Sequence, residues 1–496
     1  MKIKKKVISV LSLSILCMLM AVFCPKISAV KAEGKESAEP VKLRFIFYGD
    51  LTSRSEEFFR KDFHDIVLDE LNIDLSVEVL PWGSEDKLAT MLASGERLAC
   101  FSIIPGSTWP AKGYLAKLDE EMIRQLCPDY IKMRDKNGFE CAKYEGDIYA
   151  IPFGNKPYGG RFQSFASRND IIKSVGYNAD DIKTYDELME MLAAVHEKYP
   201  DMRIISKPVF LQNQLAPYLT DQVYTTGDGP KFAYVDSNEE GDKVYSNFES
   251  ESFKNVCKVA AEWVELGYIN MDELTNPTQG EAEWNAGNCL LYHGHPATNI
   301  NTGLKNAVPG AEERRITLDG TMKLITQNFD WSVSISAADA DHVEQWLTLF
   351  NWMYKNSDNY NLTVNGIEGT DWTRRDDGSI ERLNTDTFFP GWFMEAIEYN
   401  TYDPSIPEEE TKAYEHWDDD AVLAKDLGFS FDTSSVTSEI ALMTAVYNEK
   451  LKPMQLGLLD FDENYEQAIE ELKDAGLDKY MEEYQRQFSE WYAKQQ

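Results

Sequence analysis

Three aromatic side chains stand directly after apolar, strand-like runs. Tyr48 closes "VKLRFIFY", Trp82 follows Pro81 beyond "LSVEVL", and Trp109 lies in the Pro/Gly loop beyond "ACFSII". Flat rings at strand ends offer faces for CH groups, and Asp, Asn, Arg and His side chains fork hydrogen bonds to hydroxyls. More such residues fall in "YEGDIYAIPFGNKPYGGRFQSFASRND" (144–170), where Asn155, Tyr158 and Arg161 sit between two strand-like runs. Arg161 can donate to a hydroxyl or carboxylate, or pair with one of the chain's many acids. Trp331 begins a further strand-like run, and Trp372 and Trp392 lie in the loops "EGTDW" and "FFPGWF". The chemistry shared by these candidates is non-covalent capture of a solute with apolar faces and hydroxylated edges, as a sugar has. Trp263, Trp346, Trp352 and Trp491 fall on helical stripes, and Trp284 ends a helix, so core packing is expected for all five.

Signals for bond-making chemistry are weak. His293-Gly294-His295 places two histidines on one face of a strand, yet no Cys or carboxylate partner stands at a metal-site spacing. A hydrogen-bonding role for His295 is the expectation, and no metal or cofactor is assigned. The acidic runs at 408–410 and 418–420 read as solvated surface whose carboxylates hold Ca²⁺ only fortuitously. There is no Gly-x-Ser-x-Gly elbow, no HExxH and no phosphate-binding loop, and none of the 6 His has a triad context. A glycoside hydrolase needs two carboxylates facing across a cleft. With 84 acids in the chain, such a pair cannot be selected from sequence. A binder without catalytic residues is therefore expected, with a secreted glycan-active enzyme as the less favoured alternative.

The elements that must position these residues alternate. Strands are expected at 41–48, 75–80 and 99–104, with helices at 56–71 and 86–93 between them. That rhythm implies parallel strands joined by crossover helices. Thr184-Tyr185-Asp186-Glu187 is a capping box opening a helix with Leu188, Met191, Leu192 and Val195 on one side. Residues 233–248 read as a polar hairpin, 253–266 and 342–355 as helices, and 289–293 and 331–336 as short strands. The last 60 residues are helical, with Tyr480, Tyr484, Phe488 and Trp491 on one stripe.

The 496 residues exceed one compact core, so two or more lobes are expected. A net charge of −35 repels nucleic acid and anionic lipid, which excludes nucleic-acid binding. Residues 1–32 hold six Lys and no acid, so the remainder stands at −41. Their basic start, apolar stretch from Val7 to Cys24 and Val30-Lys31-Ala32 before Glu33 read as an export signal, an uncleaved anchor being the alternative. Neither Cys24 nor Cys17 follows a small residue as a lipidation site would require. The remaining cysteines, 100, 127, 141, 257 and 289, are odd in number and form no CxxC, so mostly buried free thiols are expected.

Several blocks resemble one family in order along the chain. They are "KLATMLASGERLACFSI" with "KGYLAKLDEEM", then "GDIYAIP" with "FASRNDIIKSVG", then "EWNAGNCLLYHGH". The most specific are "DNYNLTVNGIEGTDW", "LGFSFDTSSVTSEIALMTAVYNEKL" and "AGLDKYMEEYQRQFSEWY". Together they resemble the family-1 extracellular solute-binding proteins of ATP-driven (ABC) importers, in the oligosaccharide-type group with a helical, DUF3502-like C-terminal region. Two departures are the poor lipidation signal and the lack of an acid near Ala99–Cys100. The resemblance implies an α/β, two-lobe periplasmic-binding-protein-like (type II) fold with an inter-lobe cleft and added C-terminal helices. It implies capture of an oligosaccharide, delivery to importer permease subunits at the outer face of the membrane, and action as a monomer. A peptide or other small nutrient is the alternative ligand. Hinge closure would trap the ligand, with crossings placed near 158–165, 290–293 and 325–331. The expected division is 1–32 export signal, 33–40 linker, 41–160 and 292–330 lobe 1, 161–291 and 331–496 lobe 2 with the C-terminal helices.

Overall fold

The computed structural model describes residues 39–104, 107–133, 139, 142–153, 163–220, 230–275, 279–294, 304, 307–325, 332–376, 378–384, 386, 388–391, 393–394, 396–399, 408–417 and 419–495. The export segment and nearly all of the expected linker lie outside them. Lys42–Gln496 form one compact unit.

The first sheet begins with β1 (Val41–Tyr48), followed by the helical run α1 (53–71), β2 (Ile73–Leu80), α2 (Glu85–Ala93) and β3 (Ala99–Ser102). β4 (Ile151–Pro152) joins its edge. Phe45 faces Ala99 and Ile46 faces Cys100 in a parallel β1–β3 pair, as the alternating strands and helices predict. Helix α1 starts three residues before the expected Glu56. Thr52 accepts the Ser55 N–H and Ser55 Oγ accepts the Thr52 N–H, a capping box closed by Ser instead of Glu. The middle of α1, Phe58–Asp62, is a π turn.

The second sheet holds β5 (Ser164–Arg168), β6 (Arg203–Ile205), β7 (Cys289–Gly294) and β8 (Glu313–Ile316), in the order β8-β5-β7-β6. β7 runs parallel to β6 and antiparallel to β5. Between them lies α3 (Tyr185–Lys198), whose capping box forms as expected. Glu187 Oε2 accepts the Thr184 N–H at 2.9 Å while Thr184 Oγ1 accepts the Glu187 N–H at 3.3 Å. α4 (Glu251–Glu265) buries Val256, Val259 and Trp263 against this lobe.

The later boundaries differ from expectation. Residues 292–330 are expected in lobe 1, yet β8 pairs with β5 and belongs to the second sheet. Residues 331–496 are expected in lobe 2, yet β9 (Ser332–Ile335) pairs with β3 and β4 in the first sheet. α5 (Val343–Met353) follows β9 in that lobe, where Trp346 and Phe350 pack on Phe45. Strand pairing is a long-range choice, and the apolar runs themselves do not say which sheet they enter. The stretch 290–293 lies within the second sheet, so it is not a crossing between lobes. The other two expected crossings fall largely outside the described residues.

The first lobe has an aromatic core. Phe45, Phe47 and Phe101 meet Phe58, Phe59 and Phe63 of α1 together with Phe388, Phe389 and Phe393, which follow the short hairpin Trp372–Arg374/Ile380–Arg382. On the second lobe, α6 (Thr437–Val446), α7 (Phe461–Asp474) and α8 (Leu477–Tyr492) pack on the hairpin Ala233–Val235/Val244–Ser246 and on Phe253 and Cys257 of α4. Tyr480, Tyr484 and Phe488 lie in this core, as their spacing predicts.

Candidate functional site

β1 and β2 end side by side. The Gly49 N–H donates to Leu80 O at 2.9 Å, which locks the two strand ends together. The chain then leaves β2 through Pro81 and Trp82. This places the Tyr48 and Trp82 rings against each other, centroids 5.6 Å apart at 32°. Tyr48 is 2% exposed and forms the inner ring; Trp82 is 49% exposed and turns an indole face to solvent. Burial raises the Tyr48 pKa, with the Glu85 charge adding to it, so the phenol stays protonated. A cavity of about 150 Å³ adjoins the pair, floored by Phe47, Phe59, Val79 and Phe388, with Pro390 and the Asp50 carboxylate at its margin. A half-exposed indole over an apolar floor, with one carboxylate beside it, suits stacking and hydrogen bonding. Asp50 is the one acid lining the cavity among the described residues, whereas glycoside hydrolysis requires two.

A larger depression, about 550 Å³, opens at the amino ends of β6 and β7 and is lined by Lys198, Tyr199, Arg203, Asn270, Glu283 and Asn288. Arg203 is engaged there by Glu273 and Asp272. Size alone favours this cavity, but α/β folds take ligands at the carboxyl ends of their parallel strands. The smaller, aromatic cavity is at that end and is the better candidate.

The other expected site residues distribute as follows. Trp109 is half-buried in a tight turn, where its N–H donates to Ser107 Oγ at 3.2 Å and its carbonyl accepts the Tyr114 N–H. It does not line the Tyr48–Trp82 cavity. Trp372 is a correction. It is buried in a short strand, its indole N–H donates to Gly366 O at 3.0 Å, and Arg374 covers its ring. Its loop folds into the first lobe, and a loop position alone cannot distinguish a rim ring from a packed one. Asn155, Tyr158, Arg161, His295, Trp331 and Trp392 lie outside the described residues. His293 is half-buried beside Phe210, centroids 4.9 Å apart. Sequence reasoning missed Phe388 and Pro390, which reach the cavity from more than 300 residues away; their only signal is the aromatic, Pro-rich "FFPGWF" loop.

Other reactive groups are held inert. Cys100, Cys127, Cys257 and Cys289 are buried and free. Burial pushes the Cys100 thiol up to about 12, out of nucleophile range. Asp339, Asp341 and His342 lie close enough to share a cation. That place is taken by Arg97, whose guanidinium lies 3.0 Å from Asp339 and 2.5 Å from Asp341, while the Trp346 indole donates to Asp339.

Known proteins resemble this arrangement over nearly its full length. Residues 425–493 match the domain of unknown function DUF3502, which covers the C-terminal helical layer. The chain is 22% identical to a carbohydrate ABC transporter substrate-binding protein of Streptococcus pneumoniae serotype 4, over 94% of each chain. Among solved structures, the N-glycan transport solute-binding protein NgtS of Streptococcus pneumoniae superposes with a TM-score of 0.77 at 20% identity, covering 92% of this chain and 100% of that one. An HMO-binding, ABC-transporter-associated solute-binding protein of Bifidobacterium longum infantis superposes with a TM-score of 0.60 at 14% identity, covering 92% of this chain and 100% of that one. The fold is thus the two-lobe α/β fold of solute-binding proteins.

Proposed function

We propose that this chain is an exported, non-catalytic binding protein that captures an oligosaccharide between its lobes and hands it to an ABC importer. The observation that carries the reading is the Tyr48–Trp82 shelf at the carboxyl ends of β1 and β2. It presents a solvent-facing indole above an apolar floor, with Asp50 able to accept from hydroxyls. Trp109, Asn155, Tyr158, Arg161, His295, Trp331 and Trp392 are proposed as the remaining rim. Full-length similarity to a carbohydrate transporter's binding protein supports the solute class. The basic-then-apolar opening supports export, and action as a monomer at the outer face of the membrane fits a carrier that visits permease subunits.

The test is thermal shift of the purified protein across neutral and acidic oligosaccharides and short peptides, with chromatography of the recovered ligand. Stabilisation by an oligosaccharide recovered intact is expected. Cleavage of the glycan would make the chain an enzyme, and stabilisation by peptides alone would move it to another solute class.

A further inference from the structure

The end of the second sheet gathers buried polar side chains with unused hydrogen-bonding atoms. Its end where β6 and β7 finish and β5 begins holds Gln163, Ser164, Ser206 and Gln214, each at most 1% exposed. Ser164 stands opposite Gly294 at the end of β7, and Leu291 stands opposite Ile205 at the end of β6. Ser206 follows directly, its N–H donating to Leu291 O at 2.8 Å. Gln214 Nε2 donates to Ser164 O at 3.2 Å, which ties the helical turn Leu211–Gln214 to β5. Among the described residues, five atoms here meet no hydrogen-bond partner: Gln163 Nε2 and Oε1, Ser164 Oγ, Ser206 Oγ and Gln214 Oε1. Buried polar groups are satisfied in the great majority of cases, and each one left unsatisfied costs stability. Several together, at the carboxyl ends of parallel β6 and β7, mark a buried polar edge with hydrogen-bonding capacity to spare.

The types present define the partner such an edge suits. Amides and hydroxyls both donate and accept, as a sugar hydroxyl does. The four side chains of the cluster are all uncharged. Anionic sugars call for Arg or Lys, which give the strong charge-assisted bonds. We infer that Gln163, Ser164, Ser206 and Gln214 form a second-lobe subsite that reads the hydroxyls of an uncharged sugar and selects neutral over anionic oligosaccharides. This rests on the oligosaccharide reading above.

Two measurements on Gln163→Met, Ser164→Ala and Ser206→Ala test it. The first is apo melting temperature, unchanged or raised in each variant because an unsatisfied group is removed. The second is calorimetric titration with the tightest neutral oligosaccharide of the panel and with an alginate tetrasaccharide as the anionic probe. Expected are a roughly tenfold or greater loss of neutral-glycan affinity in at least two variants, and no alginate binding by the wild type. Melting temperatures several degrees lower with unchanged affinity would assign the cluster to internal water and overturn the proposal. So would alginate binding as tight as that of the neutral sugar. If no oligosaccharide binds the wild type, the oligosaccharide reading itself fails, an outcome distinct from unchanged variants of a protein that does bind glycan.

Discussion

At the scale of single residues, Trp82 and Asp371 do opposite work. Trp82 is half in water, its ring against Tyr48 and its exposed side toward solvent, where a ligand ring could stack. Trp82→Ala is expected to weaken oligosaccharide affinity by about tenfold or more, as loss of an aromatic platform does. Its melting temperature should stay within about 1 °C of wild type. Equal affinity in the variant would remove Trp82 from the site. Asp371 is fully buried and receives Arg54 through two hydrogen bonds, 2.8 and 2.6 Å, together with the Ile367 N–H and Asn384. Burial opposes its ionisation, but Arg54 and these donors outweigh burial and hold the carboxyl below its ordinary value. A depressed folded-state pKa contributes stability above the unfolded value and loses it as pH falls through the folded one. Asp371→Asn is therefore expected to cost about 2–4 kcal/mol at pH 7. In denaturant titrations across pH, that difference should shrink below the ordinary carboxylate range. A difference that persists undiminished at low pH would mean the carboxylate charge is not what stabilises the loop.

At the scale of elements, the C-terminal layer comes closest to α4 at Gly457. Gly457 adopts φ +70° against the backbone of α4, and a Cβ there would overlap the Ala260 carbonyl. Gly457→Ala should lower the melting temperature and expose Cys257 on α4 to thiol reagents; an unreactive, equally stable variant would contradict this packing. Much of this scale was legible in sequence. β1, β2, the α3 capping box and the aromatic stripe of α8 all rest on local alternation, caps or helical spacing. That Tyr48 and Trp82 come together was legible too, because both stand at or just past the ends of neighbouring strands. Illegible were the destinations of β8 and β9, since an apolar run carries no label for the sheet it will join. Trp372 was misread for the same reason, its burial being decided by contacts with Gly366 and Arg374 that only the folded loop brings together.

At the scale of the whole molecule, strong negative charge, two sheets and the ligand edge proposed on each fit a carrier that closes around an uncharged solute. Small-angle scattering should show the radius of gyration falling when a bound oligosaccharide is added, as lobe closure requires; an unchanged radius at saturation would argue against closure. The most direct measurement is a crystal structure with the best neutral oligosaccharide. The expected result is a sugar ring stacked on Trp82 with its hydroxyls directed to the Gln163–Ser206 edge. Density in the depression lined by Lys198 and Arg203, with Trp82 untouched, would contradict the central claim.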